Sequence, residues 1–125
     1  MGENEKRVFI IHELAVTEGV LKIVLKYAKE NKARRVASIH LQVGELRDLT
    51  EEWMQRYFDY LSHGTIAEGG KVVIKRTPVT LKCVECTDSF NADIRHQNIL
   101  CPGCGSAKIA LVSGREFLIE SIGVI

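Results

Sequence analysis

No stretch of the 125-residue chain approaches the roughly 18 consecutive apolar residues of a membrane span. An excess of one charge is missing too. Seventeen Lys and Arg stand against sixteen Asp and Glu, for a formal net charge of +1, which excludes a protein built mainly as a polybasic binder of nucleic acid or membrane surfaces. Met1–Arg7 (MGENEKR) is charged and has no apolar region with a cleavage site of the signal-peptide kind. There is no repeat, no low-complexity tract and no glycine-rich loop to cradle a phosphate, and no nucleophile–base pair emerges from spacing, so an enzyme is not expected. What is present, 46% hydrophobic and 26% charged residues, describes a folded chain. At this length one domain is the default. The expectation is a soluble, cytoplasmic protein with no membrane attachment, whose four cysteines serve as metal ligands more readily than as disulfides.

Periodicity gives a coarse map. Leu14, Leu21, Val24, Leu25 and Ala28 recur at helical spacing, with Glu18, Lys22, Lys26 and Lys29 opposite. This predicts an amphipathic helix over 14–29, preceded by a loosely held polar start. Residues 36–46 alternate as a half-buried strand ending at Gly44. Thr50 is an N-cap candidate with Glu51 and Glu52 in the first turn behind it. Trp53, Met54, Tyr57, Phe58 and Leu61 form the stripe of a second helix, and this spacing predicts that its aromatics are core. Lys71–Lys82 reads as one strand with Pro78 at a bulge or edge, and Arg115–Ile125 as a last strand whose natural partner is the one before the cysteines. The fold class expected is α+β: a small three-stranded sheet with two helices, plus an inserted zinc-ribbon domain. Residues 1–82 with 113–125 form the α/β domain and 83–112 the zinc ribbon.

The insertion rests on spacing. Cys83-Val-Glu-Cys86 is followed, after fourteen residues, by Cys101-Pro-Gly-Cys104. Each C-x-x-C is a tight turn that aims two sulfurs at one point, and two turns supply four thiolates for tetrahedral Zn²⁺. Gly103 and Gly105 let the backbone approach the sulfurs. Two disulfides are disfavoured by compartment, and a redox dithiol would need only one such turn. An iron–sulfur centre shares the cysteine spacing. Four cysteine ligands leave no open position for a water nucleophile, so the metal is structural.

His40, His63 and His96 each have a solvated or capping explanation, whereas His12 is marked by its neighbours. Ile11-His12-Glu13-Leu14, then Val43-Gly44-Glu45-Leu46, then Thr50-Glu51-Glu52, the two C-x-x-C turns, and Gly114-Arg115-Glu116-Phe117-Leu118-Ile119 follow in order. In that order they resemble the HypA/HybF family of nickel metallochaperones, which mature [NiFe] hydrogenases. The resemblance covers roughly residues 11 to 124. It implies a nickel-binding α/β domain, a zinc ribbon and weak, reversible Ni(II) binding as cargo. His12 would be the imidazole ligand and Glu13 its neighbour in the motif, with His96 the candidate for a further histidine ligand from the zinc domain. Cys83, Cys86, Cys101 and Cys104 would hold structural Zn(II). The implied partners are a HypB-type GTPase and the hydrogenase large subunit; a homodimer is a further expectation. In the family the motif stands at the first residue, beside a free amine. Here Met1–Ile11 precede His12, with Ile11 where the family has its Met, so either the chain starts later than written or the nickel site is altered.

A second reading is a zinc-ribbon protein that binds nucleic acid or associates with transcription. Against it, residues 83–112 carry Glu85, Asp88 and Asp93 against only Arg95 and Lys108, a poor phosphate-binding surface. Charge is segregated elsewhere: residues 18–35 carry six basic and two acidic residues, and residues 43–70 six acidic and two basic. Such a separation can steer partners.

Overall fold

A computed structural model describes residues 2–91 and 99–125, with side chains from residue 13 onward. The elements in chain order are α1 (Gly2–Glu30), β1 (Val36–Gly44), α2 (Glu51–Leu61), β2 (Lys71–Thr77), β3 (Thr80–Cys83), β4 (Ser89–Asn91), β5 (Ile109–Ser113) and β6 (Phe117–Val124). They make two three-stranded sheets, ordered β2-β1-β6 and β4-β3-β5. No helix among the described residues is long and apolar enough to cross a membrane.

The chain divides into two compact units, one of residues 1–41, 49–74 and 119–125, the other of residues 42–48 and 75–118. The core of the first unit gathers Val20, Leu21, Val24 and Ala28 of α1, Val36, Ile39 and Leu41 of β1, Met54 and Phe58 of α2, and Val72 of β2. Apart from Val36, which lies off the alternation of β1, these follow the predicted periods of 3.6 and 2. Thr50 caps α2 as its sequence position suggests, its hydroxyl accepting the Trp53 N–H at 3.3 Å. Side chains of α2 also reach the backbone of β2. Gln55 Oε1 accepts the Val72 N–H at 2.7 Å, and a Glu51 carboxylate oxygen accepts the Ile74 N–H at 2.8 Å.

Four expectations are corrected. First, α1 begins at Gly2, not near residue 14; the polar start contains no proline, and Glu3 and Arg7 stand four apart, where opposite charges support a helix. His12 therefore lies within a helix instead of opening one. Second, Lys71–Lys82 is not one strand. It breaks at Pro78-Val79 into β2 and β3, which belong to different sheets, since proline donates no ladder hydrogen bond. Third, β6 pairs with β1, not with the strand before the cysteines. Ile125 N–H donates to the Arg35 carbonyl at 2.8 Å and Gly44 N–H to the Glu116 carbonyl at 2.7 Å, an antiparallel register. Fourth, Trp53 is 42% exposed, with the Arg56 guanidinium 5.1 Å from its ring centroid and Tyr57 at 5.8 Å. Only Met54 and Phe58 of the α2 stripe are fully buried: this 11-residue helix, packed against α1, hides one narrow face.

In the second unit, Gly44 and Gly114 pass at backbone distance, and a Cβ on Gly44 would strike the Gly114 carbonyl. Gly114 has φ +124°, and its N–H donates to the Glu116 carboxylate at 2.8 Å. Beyond this crossing, β3 pairs antiparallel with both β4 and β5, setting Leu81 opposite Phe90 on one side and Leu111 on the other.

Candidate metal centre

Cys83 is the last residue of β3, and Cys86 follows in a tight turn. Cys101 and Cys104 occupy a second turn, which leads toward β5. The two turns are built alike. In the first, Thr87 N–H donates to the Cys83 carbonyl at 3.0 Å and Cys83 N–H to the Asp88 carbonyl at 2.9 Å; in the second, Gly105 N–H donates to the Cys101 carbonyl at 2.8 Å and Cys101 N–H to the Ser106 carbonyl at 2.9 Å. Each turn requires a left-handed residue after its second cysteine. Gly105 takes φ +75° at no steric cost. Thr87 holds φ +65° in the same role, a conformation in which a β-branched residue is strained.

This doubled geometry converges four sulfurs. All lie within 4.8 Å of one another, with Cys83 Sγ 3.5 Å from Cys104 Sγ and Cys86 Sγ 3.5 Å from Cys101 Sγ. A disulfide needs a separation near 2.05 Å, and all four cysteines are free. A tetrahedral Zn²⁺ with bonds of about 2.3 Å sets its sulfurs about 3.8 Å apart, which these separations fit. Cys83 and Cys101 are buried, Cys86 is half-buried and Cys104 is exposed.

The backbone favours thiolates. Amide hydrogen bonds, first from Cys86 and then from Glu85, outweigh burial and bring the Cys83 thiol down to about 7. Gly103 N–H donates to Cys101 Sγ at 3.3 Å. The Asp88 amide pulls Cys86 down, but the neighbouring thiols and burial together push it up to about 12. Cys104 is pulled down by the Ser106 amide, yet is raised overall by Cys83, burial and Cys101. Four thiols this close resist full ionisation on their own, and a divalent cation relieves that resistance. Among the described residues of the surrounding module the buried apolar ones are Val79, Leu81, Cys83 and Cys101, so a metal at the four sulfurs would supply part of what a larger core does.

The other site candidates are placed separately. His12 lies in α1, with its side chain outside the described residues, and His96 is itself outside them. Glu13 is 4% exposed on α1, where burial first and the Glu13 charge second raise the Tyr57 hydroxyl. Thr17 donates its hydroxyl to the Glu13 carbonyl at 2.7 Å. His40 Nε2 lies 3.2 Å from Ser38 Oγ, and His63 Nδ1 lies 2.8 Å from Glu68 Oε1 on an exposed surface. Among the described residues the four cysteines are the one cluster of metal-ligating side chains. Gly103 and Gly105 already signal backbone approach to the sulfurs in the second turn, and Gly103 makes it; the amides of Glu85, Cys86 and Asp88 in the first turn, and the left-handed Thr87, went unread in the sequence, where only the alignment of Thr87 with Gly105 signals them.

The family model described as hydrogenase/urease nickel incorporation, metallochaperone, HypA matches residues 11–124. Hydrogenase maturation factor HypA of Dehalococcoides mccartyi is 36% identical over 114 residues, covering 91% of this chain and 94% of that protein. The protein of the same name from Caldanaerobacter subterraneus is 34% identical over 115 residues, covering 91% and 99%. Among solved structures, a solution structure of HypA protein aligns with TM-score 0.71 at 19% identity, covering 92% of this chain and 97% of that one. The Ni metallochaperone HypA from Helicobacter pylori aligns with TM-score 0.61 at 18% identity, covering 90% and 97%. These two share the fold. The chain belongs to the HypA family of hydrogenase and urease nickel-incorporation metallochaperones.

Proposed function

We propose that this chain carries Ni²⁺ to [NiFe] hydrogenase during its maturation, without catalysing a reaction, and that Zn²⁺ at Cys83, Cys86, Cys101 and Cys104 is structural. The observation that carries the reading is the family match beginning at Ile11, the residue before His12. The zinc assignment is supported by the four-sulfur geometry. The domains follow from it: 1–82 with 113–125 handle nickel, and 83–112 are the zinc ribbon. His12 supplies an imidazole, with Glu13 beside it and His96 as a recruited ligand; nitrogen-rich planar sites suit Ni²⁺. Backbone amides join the ligand set only if they leave their helical hydrogen bonds, because His12 and Glu13 lie inside α1. A loosely held metal suits a carrier, whose ligands must exchange. The carrier works in the cytoplasm with a HypB-type GTPase and the hydrogenase large subunit, and the charge separation between residues 18–35 and 43–70 offers steering toward them.

The test supplies the nickel-loaded chain, with the GTPase, to an apo-hydrogenase large subunit and follows nickel into the subunit. Transfer by the full chain and its loss in His12→Ala support the reading. Equal transfer by both, or none above free Ni²⁺, rejects it.

A further inference from the structure

The two cysteine turns share their hydrogen bonds but not the residue that closes them. In each, a left-handed residue aims the next amide at the second sulfur and the next carbonyl at the N–H of the first cysteine. Gly105 does this at φ +75°, placing Ser106 against Cys104 and Cys101. Thr87 does it at φ +65°, placing Asp88 against Cys86 and Cys83. Glycine adopts this region freely, whereas the branched Cβ of threonine crowds the neighbouring backbone. The Thr87 hydroxyl donates to the Cys86 carbonyl at 2.6 Å, which helps hold the conformation but leaves the branch in place. Among the described residues Lys32 is the other non-glycine with positive φ; it follows the end of α1, where that conformation is common. Little else clamps the first turn. Val84 N–H donates to the Lys108 carbonyl at 2.9 Å, but its side chain is 61% exposed, and the exposed Glu85–Lys108 pair at 3.6 Å contributes little in water.

We propose that Thr87 sets how firmly the ribbon holds its zinc, and makes the Cys83–Cys86 turn the one that opens first and through which the metal exchanges. The strain is present while the turn is closed around the metal and is released when it opens. Relaxing Thr87 swings Asp88 away, which withdraws the amide from Cys86 and the carbonyl from Cys83 together. It also lifts the Asp88 carboxylate off Gly103, where a Cβ would stand 2.6 Å from it. The second turn, closed by Gly105, has no such strain to release. This inference rests on the zinc reading of the cysteines and is independent of nickel.

Competition with a chromogenic zinc chelator, at equilibrium for affinity and in excess for release rate, tests it on the full, zinc-loaded chain. Thr87→Gly is expected to bind zinc about tenfold tighter and to release it more slowly, the freedom of glycine in the open turn offsetting part of the strain relieved. Thr87→Asn, which tolerates the left-handed region, falls between, and Thr87→Val, which keeps the branch, is no tighter than wild type. Gly105→Thr brings the strain to the second turn and weakens binding. Hydrogen exchange of the zinc-loaded wild type gives a readout that overall stability does not move. Thr87 N–H is expected to be less protected than its counterpart Gly105 N–H, and Thr87→Gly narrows the difference while protection in α1 and α2 stays unchanged. Equal affinity in wild type and Thr87→Gly, or equal protection at Thr87 and Gly105, overturns the proposal and leaves the zinc reading standing. A chain that takes up no zinc overturns both.

Discussion

Phe58 and Trp53 lie on one helix, five residues apart, and do opposite things. Phe58 is fully buried, while Trp53 is 42% exposed beneath Arg56. Phe58→Ala should cost about 3–5 kcal/mol in urea unfolding. Trp53→Ala should cost under about 1 kcal/mol, the scale of an exposed cation–π pair. Similar losses at both positions would contradict this burial. Hydrophobic spacing placed both residues on the apolar side of α2 but could not say how wide a face the sheet would cover. The cysteines were more legible, since the covalent spacing of C-x-x-C already forces two sulfurs together. Thr87 was not, because nothing local in its residue type signals the left-handed conformation that the turn imposes on it.

At the scale of elements, local chemistry was readable where it was self-contained. Thr50 caps α2 and Glu51 and Glu52 sit in its first turn, and Thr50→Ala should lower stability by about 1 kcal/mol in the same assay. Strand pairing was not readable, since β1 is joined to β6 by residues more than seventy positions away, and periodicity carries no information on partners. Pro78 announced an irregularity without revealing that it separates two sheets. The extent of α1 bears on nickel. If His12 and its neighbouring amides bind the metal together, Ni²⁺ must unwind helix around residue 12. Helical ellipticity should then fall on titration with Ni²⁺ but not in His12→Ala. Unchanged ellipticity on saturation would restrict binding to the imidazole.

For the whole molecule, near-neutral charge would survive the proposed metal loading: four thiolates and one Zn²⁺ would move the formal value from +1 to −1. That chemistry is linked to protons. At pH 7 the raised thiols of Cys86 and Cys104 hold their protons in the metal-free site and must lose them on binding. Zinc binding to the stripped chain should therefore release two or more protons, and affinity should rise with pH and fall on acidification. Calorimetry in buffers of different ionisation enthalpy measures this; binding without proton release would contradict it. Removing zinc should loosen β3, β4 and β5, whose buried core is small, and leave the α1–α2 core folded. Hydrogen exchange resolves the two, and uniform protection after chelation would show that the ribbon stands without metal.

On the proposed function, cargo and structural metals occupy separate sites, nickel at His12 and zinc at the cysteines. A Ni²⁺ titration, with zinc counted in the same samples, tests it on the full chain, on a form beginning Met-His12-Glu13, and on His12→Ala in both. About one zinc per chain is expected in all four forms, with nickel binding that His12→Ala removes in each background. Equal nickel binding by all four forms, with zinc unchanged, would contradict it.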